Sequence, residues 1–122
     1  MVEEHSPEIM RRRTRRFALS IIKLFKTLPL REEARILGRQ MLRSGTSVGA
    51  HYHEATRSRS RAEFISKLEG GLQELDETVY WLTLLKEANV INGQLDGLLN
   101  EADELTAILV ASAKTAKLNK RQ

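Results

Sequence analysis

The chain has no cysteine, only two prolines and few aromatic residues among its 122 amino acids. Because cysteine is absent, neither a disulfide nor a thiolate metal site can form, which fits a reducing compartment. No apolar run approaches the ~20 residues that a membrane-spanning helix requires. The N-terminal segment is acidic and polar, unlike a signal peptide. We therefore expect a cytoplasmic protein that has no membrane partner.

The charge of the chain is unevenly distributed. Residues 1–62 carry twelve arginines and two lysines against six carboxylates, a net charge of +8. Residues 63–122 carry six cations against ten carboxylates, a net charge of −4. Such a division is typical of charge pairing within or between subunits, and also of a basic surface that binds a polyanion. The composition leaves both interpretations open.

Apolar residues recur at helical spacing in four segments. In the first segment Met10, Phe17 and Ile21 belong to one a,d stripe, which a helix places on a single face. Short connections join the segments, which span about residues 7–28, 31–56, 60–88 and 92–118. Short connections make consecutive helices antiparallel neighbours. The sequence therefore predicts an all-α fold, an antiparallel up-down-up-down four-helix bundle, as a single domain over residues 1–122.

The stripes also predict which side chains form the core. They comprise Met10, Thr14, Phe17, Ile21, Leu24, Leu28, Leu37, Met41, Ser44, Val48, Tyr52, Ala55, Ile65, Leu68, Leu72, Leu75, Val79, Leu82, Leu95, Leu98, Ala102, Leu105, Leu109, Ser112 and Ala116. Gly38, Gly45 and Gly49 interrupt the second segment, and each glycine in a helix costs ~1 kcal/mol relative to alanine. Close approach of a neighbouring helix is the simplest compensation for that cost.

Three residues are predicted helix N-caps. Ser6 precedes Pro7, which suits the first helical position. Ser60, with Glu63 three residues later, matches a capping box. Asn92 is the predicted cap of the fourth helix.

Four apolar residues lie off the predicted core stripes. Leu19 and Ile22 fall roughly opposite the stripe of the first helix, and Trp81 and Leu84 point away from that of the third. A monomeric bundle would not need apolar side chains at these positions. They therefore predict an oligomer interface in a homo-oligomer.

Two patterns in the second segment invite a chemical interpretation. Residues 45–49 match the G-x-S-x-G nucleophile motif, but that motif requires a strand–turn–helix elbow, whereas the flanking sequence predicts a helix. His51 and His53 diverge by ~200° on a helix and cannot share one metal ion. We therefore expect no enzymatic activity, no catalytic residue, no metal site and no cofactor. A hydrolase using Ser47 would be labelled by a serine-reactive probe, and we expect no labelling.

Arginine is concentrated in two clusters. One lies early in the first helix, where Arg13 flanks the core, and the other lies at the turn between the second and third helices. In an up-down bundle that turn and the start of the first helix lie at the same end. Guanidinium groups suit phosphate oxygens. The clusters predict a nucleic-acid-binding site formed by Arg11, Arg12, Arg15, Arg16, Arg57, Arg59 and Arg61.

The central stretch contains R-S-x-T-S-x-G-A, then E-A, S-R-x-E-F and Y-W-L-x-L-L-K-E-A. With these motifs the chain resembles the 23S rRNA-intervening-sequence protein family, over about residues 16–118. The resemblance implies a four-helix bundle that assembles into a ring, typically a homopentamer, with no established enzymatic activity. A related branch, the accessory variability determinants of diversity-generating retroelements, implies a basic pentamer that binds RNA and a reverse transcriptase. His51 stands where the family usually has asparagine.

Two hypotheses about function follow. The leading one is a non-enzymatic oligomeric bundle that binds RNA or DNA through its arginine-rich end. The alternative is a protein-interaction scaffold or accessory subunit, such as a partner of a polymerase, with no direct nucleic-acid contact. A protein partner recovered after nuclease treatment would favour the alternative.

Overall fold

Four helices form an antiparallel bundle in the computed structural model, which describes residues 5–91, 93 and 95–119. They are α1 (Pro7–Thr27), α2 (Glu32–Ala55), α3 (Arg61–Glu87) and α4 (Asp96–Asn119). Each helix packs against the next one in the chain, and α4 also contacts α1. The predicted all-α four-helix bundle is therefore confirmed. Within the described residues, no helix combines the length and apolarity needed to cross a membrane.

Two of the predicted caps begin their helices. Ser6 Oγ accepts a hydrogen bond from Ile9 N at 3.3 Å. Ser60 Oγ accepts one from Glu63 N at 3.1 Å. Each hydroxyl thereby satisfies a backbone donor that the first turn of a helix leaves without an intrahelical partner.

The third helix ends in a Schellman motif, which the sequence reasoning missed. Asn89 has a φ of 59°, and Val90 N donates to Leu85 O at 3.0 Å, the 6→1 bond of that motif. Val90 is buried, so the connection covers the end of the core before the chain turns back. The fourth helix begins at Asp96 instead of near residue 92, and Asn92, its predicted cap, lies outside the described residues.

The predicted stripes form most of the core. Half-buried stripe residues lie at its edges: Leu24, Leu28, Leu37, Leu72, Val79, Leu98 and Ser112. The other stripe residues are buried. Sequence reasoning missed several further buried positions, which are Ala34, Thr78, Leu85, Val90 and Ala113. Ala34, Thr78, Leu85 and Ala113 flank or extend the stripes of α2, α3 and α4, so the buried faces of these three helices are wider than the predicted seams.

Small residues let α2 approach both of its neighbours closely, as the glycine run predicts. Toward α1, a Cβ atom added at Gly45 would lie only 2.8 Å from Ile21 Cγ1. Toward α3, the buried hydroxyls of Ser44 and Thr78 are 2.8 Å apart. α2 is therefore in close contact with both α1 and α3.

An ion pair joins α1 to α4. Arg13 Nη2 lies 2.6 Å from Glu101 Oε1, and Arg13 Nε lies 3.1 Å from Glu101 Oε2. Glu104 Oε1 is 3.3 Å from the same Nη2 atom. The hydrogen bonds that Arg13 donates to Glu101 raise the pKa of Arg13. Arg13 flanks the core as predicted, and its partly buried guanidinium group pairs with carboxylates of α4.

We expect Arg13→Gln to lower the free energy of unfolding by about 1–2 kcal/mol, because it removes a partly buried, charge-assisted pair of hydrogen bonds. Arg12→Gln is the matched control. Arg12 lies 3.6 Å from Glu8 and its side chain is 49% exposed, against 23% for Arg13, so its loss should cost less than about 0.5 kcal/mol. Urea unfolding followed by circular dichroism measures both values. Equal stability of the two variants would contradict the role of Arg13 as a link.

Candidate nucleic-acid interface

The seven predicted arginines lie around the end of the bundle where α1 and α3 begin and α2 ends. α1 and α2 are in close contact near this end, because a Cβ atom added at Gly49 of α2 would lie 3.3 Å from Thr14 Oγ1 of α1. Arg11 is half-buried and the other six arginine side chains are exposed. The fold therefore brings both sequence clusters to the same end.

Most of these arginines have no acidic partner in the part of the chain that the structure describes. Among the described residues, six of the seven have no carboxylate within 4 Å, and the seventh, Arg12, pairs with Glu8. Arg43 of α2, by contrast, pairs with two carboxylates of α3. It lies 3.2 Å from Glu74 Oε2 and 2.9 Å from Glu77 Oε1. Four carboxylates of residues 63–122 thus pair with Arg13 and Arg43, which link helices, and among the described residues none of that half pairs with the seven clustered arginines.

A groove of about 260 Å³ runs between α1 and α2 within this end. Arg11 and Arg15 line it from α1, and His53 lines it from α2. Gly49, which has no side chain, and Ala50, which has only a methyl group, also line the groove and leave it open. None of its described lining residues is acidic. The groove therefore offers hydrogen-bond donors to an anion from two helices.

A second, larger groove of about 630 Å³ lies along the last turns of α4. Arg61 from the start of α3 and His5 from the segment before α1 line it, opposite small residues of α4 such as Ala111. This arrangement places one arginine of the second cluster beside the chain that leads into α1.

The basic surface extends beyond the predicted clusters. Lys23, Lys26, Arg35 and Arg39 are exposed at the opposite end of α1 and α2. Within the part of the chain that the structure describes, none of the four has a carboxylate within 4 Å. These four residues contribute to the charge of +8 in residues 1–62, but the sequence-based prediction placed the basic surface at one end of the bundle only.

The two neighbouring histidines face different helices, as their spacing predicts. His51 Nδ1 lies 2.9 Å from Ser47 O, and its ring packs against Gly70 of α3, whereas His53 faces α1. Ser47 Oγ donates to Arg43 O at 2.6 Å within a continuous helix. Residues 45–49 therefore do not form the elbow that a serine nucleophile requires.

Two pKa shifts describe the surroundings of the groove. Burial raises the pKa of Tyr52, and the nearby charge of Arg11 partly opposes that shift. The hydrogen bond from Lys67, at 2.7 Å, lowers the pKa of Glu54. Glu54, which follows His53 in the chain, is thus paired with α3 and does not neutralise the arginines.

The predicted interface residues differ in exposure. Leu19 is 58% exposed, whereas Ile22, Trp81 and Leu84 are half-buried. Trp81 also packs against the core, so it does not point fully outward as its spacing suggested. Its indole N–H is buried without a hydrogen-bond partner among the described residues.

Further exposed apolar residues were not predicted from the sequence, and two of them lie on α2 and α3. Ile36 is 53% exposed and Tyr80 is 58% exposed. The rings of Tyr80 and Trp81 meet edge to face with centroids 5.0 Å apart. Ile36 and Tyr80, like Leu84, lie off the core stripes, and this position in the sequence is the signal that could have identified them.

The four-helix fold and its clustered, mostly exposed arginines define a basic helical-bundle protein, and comparison with known proteins specifies the class further. The model of the 23S rRNA-intervening sequence protein family matches residues 8–111. A crystal structure of a protein with unknown function, from the S23 ribosomal protein family of Bacteroides thetaiotaomicron VPI-5482, is similar with a TM-score of 0.82. That protein is 34% identical, and the similarity covers 90% of this chain and 99% of the other.

The chain belongs to the 23S rRNA-intervening sequence protein family. No curated protein matches it significantly. Neither the family description nor the similar structure indicates an enzyme class.

Proposed function

We propose that the protein is a non-enzymatic, cytoplasmic homo-oligomer that binds RNA or DNA through its arginine-rich end. The observation that supports this function is the absence of acidic partners, among the described residues, at six of the seven clustered arginines. Exposed guanidinium groups without partners are free to bind phosphate oxygens bidentately. The family takes its name from 23S rRNA, so a structured fragment of that RNA is a reasonable first ligand.

Binding of this kind depends on phosphate contacts and on the release of condensed counterions. Aromatic residues make up only 5% of the chain, so few side chains are available to stack on bases. The proposed interaction is therefore sensitive to salt and tolerant of base sequence.

The homo-oligomer, which the family resemblance predicts to be a pentamer, is proposed to use Leu19, Ile22, Trp81 and Leu84 as its interface. A ring of subunits presents one arginine-rich end per subunit to the same polyanion, which raises the overall affinity by multivalency. A mass in solution equal to the 13.9 kDa of one chain would contradict this part of the proposal.

Reversing four charges of the α1 cluster tests the proposed function. We expect Arg11→Glu, Arg12→Glu, Arg15→Glu and Arg16→Glu in one variant to weaken RNA binding by about 100-fold or more, because several phosphate contacts become repulsive. Fluorescence anisotropy with a labelled RNA measures the affinity, and circular dichroism checks that the bundle stays folded.

The opposite end of the same two helices supplies a matched control. The variant with Lys23→Glu, Lys26→Glu, Arg35→Glu and Arg39→Glu changes the net charge equally, at four exposed residues. We expect this variant to lose much less affinity than the α1 variant. Equal losses would assign binding to the whole basic face of α1 and α2, and unchanged affinity in the α1 variant would overturn the proposed function.

The alternative, a protein-interaction scaffold, is supported by a different observation. Ile36 and Tyr80 add exposed apolar area on α2 and α3, beyond the residues assigned to the homo-oligomer. A protein partner that is captured from nuclease-treated extract by the wild type, and lost by Tyr80→Ser, would favour the scaffold.

A further inference from the structure

The groove between α1 and α2 is a defined site within a broadly basic surface. Its volume of about 260 Å³ lies below the 300–1,000 Å³ of typical small-molecule pockets. The space therefore fits one small group of a ligand and not a whole cofactor.

The charged side chains around the groove favour the binding of an anion. Arg11 and Arg15 are one helical turn apart on α1, and like charges at this spacing destabilise a helix slightly. The nearest carboxylates in the sequence are engaged elsewhere, since Glu8 pairs with Arg12 and Glu54 pairs with Lys67. An anion between the two guanidinium groups would relieve their repulsion.

The hydrogen-bonding groups of the groove also favour an anion. The Thr14 hydroxyl lies 2.9 Å from Met10 O, and the Thr46 hydroxyl lies 2.8 Å from Leu42 O. Both threonine protons are thus committed to the backbone of their own helices. The arginines on α1 and His53 on α2 remain as the donors that a ligand can use.

We propose that this groove binds one phosphate group, which accepts hydrogen bonds from Arg11 and Arg15 of α1 and from His53 of α2. The inference rests on the proposed nucleic-acid function, and it specifies where one phosphodiester of the bound strand is held. The same chemistry suits a free phosphate or a phosphate monoester, and the two sources are separated by experiment.

Filling the groove without changing its charge tests this site. Ala50 lines the groove and is exposed, so Ala50→Leu occupies the space of the phosphate and leaves both arginines in place. We expect a loss of about 10-fold in RNA affinity and a less steep salt dependence, by about one phosphate contact. Ala62→Leu is the matched control, since it adds the same side chain at an exposed position beside Arg61, outside the groove.

Different experimental outcomes would overturn the phosphate site and the proposed nucleic-acid binding. Wild-type protein that does not bind RNA would overturn the proposed function, and a titration with inorganic phosphate would then test the phosphate site by itself. Wild-type binding that the α1 charge reversal abolishes, combined with equal affinities for Ala50→Leu and Ala62→Leu, would overturn the phosphate site alone. Thermal unfolding of both leucine variants, followed by circular dichroism, verifies that each is folded. Should Ala50→Leu fail to fold, Arg15→Gln against Arg16→Gln provides the comparison, because Arg15 lines the groove and Arg16 does not.

Nuclear magnetic resonance identifies the source of the phosphate. In a titration with inorganic phosphate, shifts of the His53 ring and the Ala50 methyl resonances would support a site that accepts free phosphate. Shifts of the same resonances with RNA only would support a site for a phosphodiester. If neither ligand shifts them, the proposed site is wrong.

Discussion

Replacing Gly45 with alanine is expected to lower the free energy of unfolding by about 1–2 kcal/mol, even though alanine is the better helix former. The added Cβ would lie 2.8 Å from Ile21 Cγ1 and 2.9 Å from Ile21 Cγ2. Ile21 is fully buried and β-branched, so its side chain has little freedom to move aside. Overpacking costs about 1–3 kcal/mol, and the restricted Ile21 side chain places this site in the upper part of that range, above the gain of ~1 kcal/mol from helix propensity.

Gly97→Ala is the matched control for this prediction. Gly97 lies in the first turn of α4, and a Cβ added there has no neighbour within 4 Å. The substitution should therefore raise the stability by about 0.5–1 kcal/mol. Urea unfolding monitored by circular dichroism gives both values. A Gly45→Ala variant as stable as Gly97→Ala would show that α1 and α2 are not in close contact at this point.

The second large effect concerns His51 and Gly70, which bring α2 and α3 together. A Cβ added at Gly70 would lie 2.6 Å from His51 Cδ2 and 2.9 Å from His51 Nε2. The imidazole is held in that position because its Nδ1 lies 2.9 Å from Ser47 O. We expect Gly70→Ala to cost about 1–2 kcal/mol, since the ring must turn and give up that hydrogen bond.

The partner of this clash can be removed, which makes the prediction specific. In a His51→Ala background, Gly70→Ala should be neutral or stabilising by up to ~1 kcal/mol, because helix propensity alone then decides. The double-mutant cycle should give a coupling energy of about 2 kcal/mol. A cost of Gly70→Ala that is the same in both backgrounds would contradict direct contact between these residues.

The fold followed from the sequence because its signals are local. The a,d stripes depend only on helical periodicity, and the two serine caps depend on neighbouring backbone donors. The start of α4 was misplaced because the chain uses Asn89 in a left-handed conformation and then covers the core with Val90. That arrangement depends on burial of Val90 against other helices, which spacing along one segment does not reveal.

The candidate interface was only partly accessible to sequence reasoning. Topology places the arginine clusters at one end, and that part follows from helix order. Which arginines are paired depends on residues far away in the chain, as Arg13 with Glu101 and Arg43 with Glu74 demonstrate. The groove depends on the approach of two helices, so composition alone could not predict it.

The most direct test of the central claim is the RNA affinity of the wild-type protein across a series of salt concentrations, by fluorescence anisotropy on a sample of known mass in solution. If each of the seven clustered arginines contacts one phosphate, the logarithm of the binding constant should fall against the logarithm of salt concentration with a slope of about −5 for single-stranded RNA. A steep slope of this order is the predicted result. No binding even at low salt would contradict the account, and would assign the clustered arginines to contacts with protein.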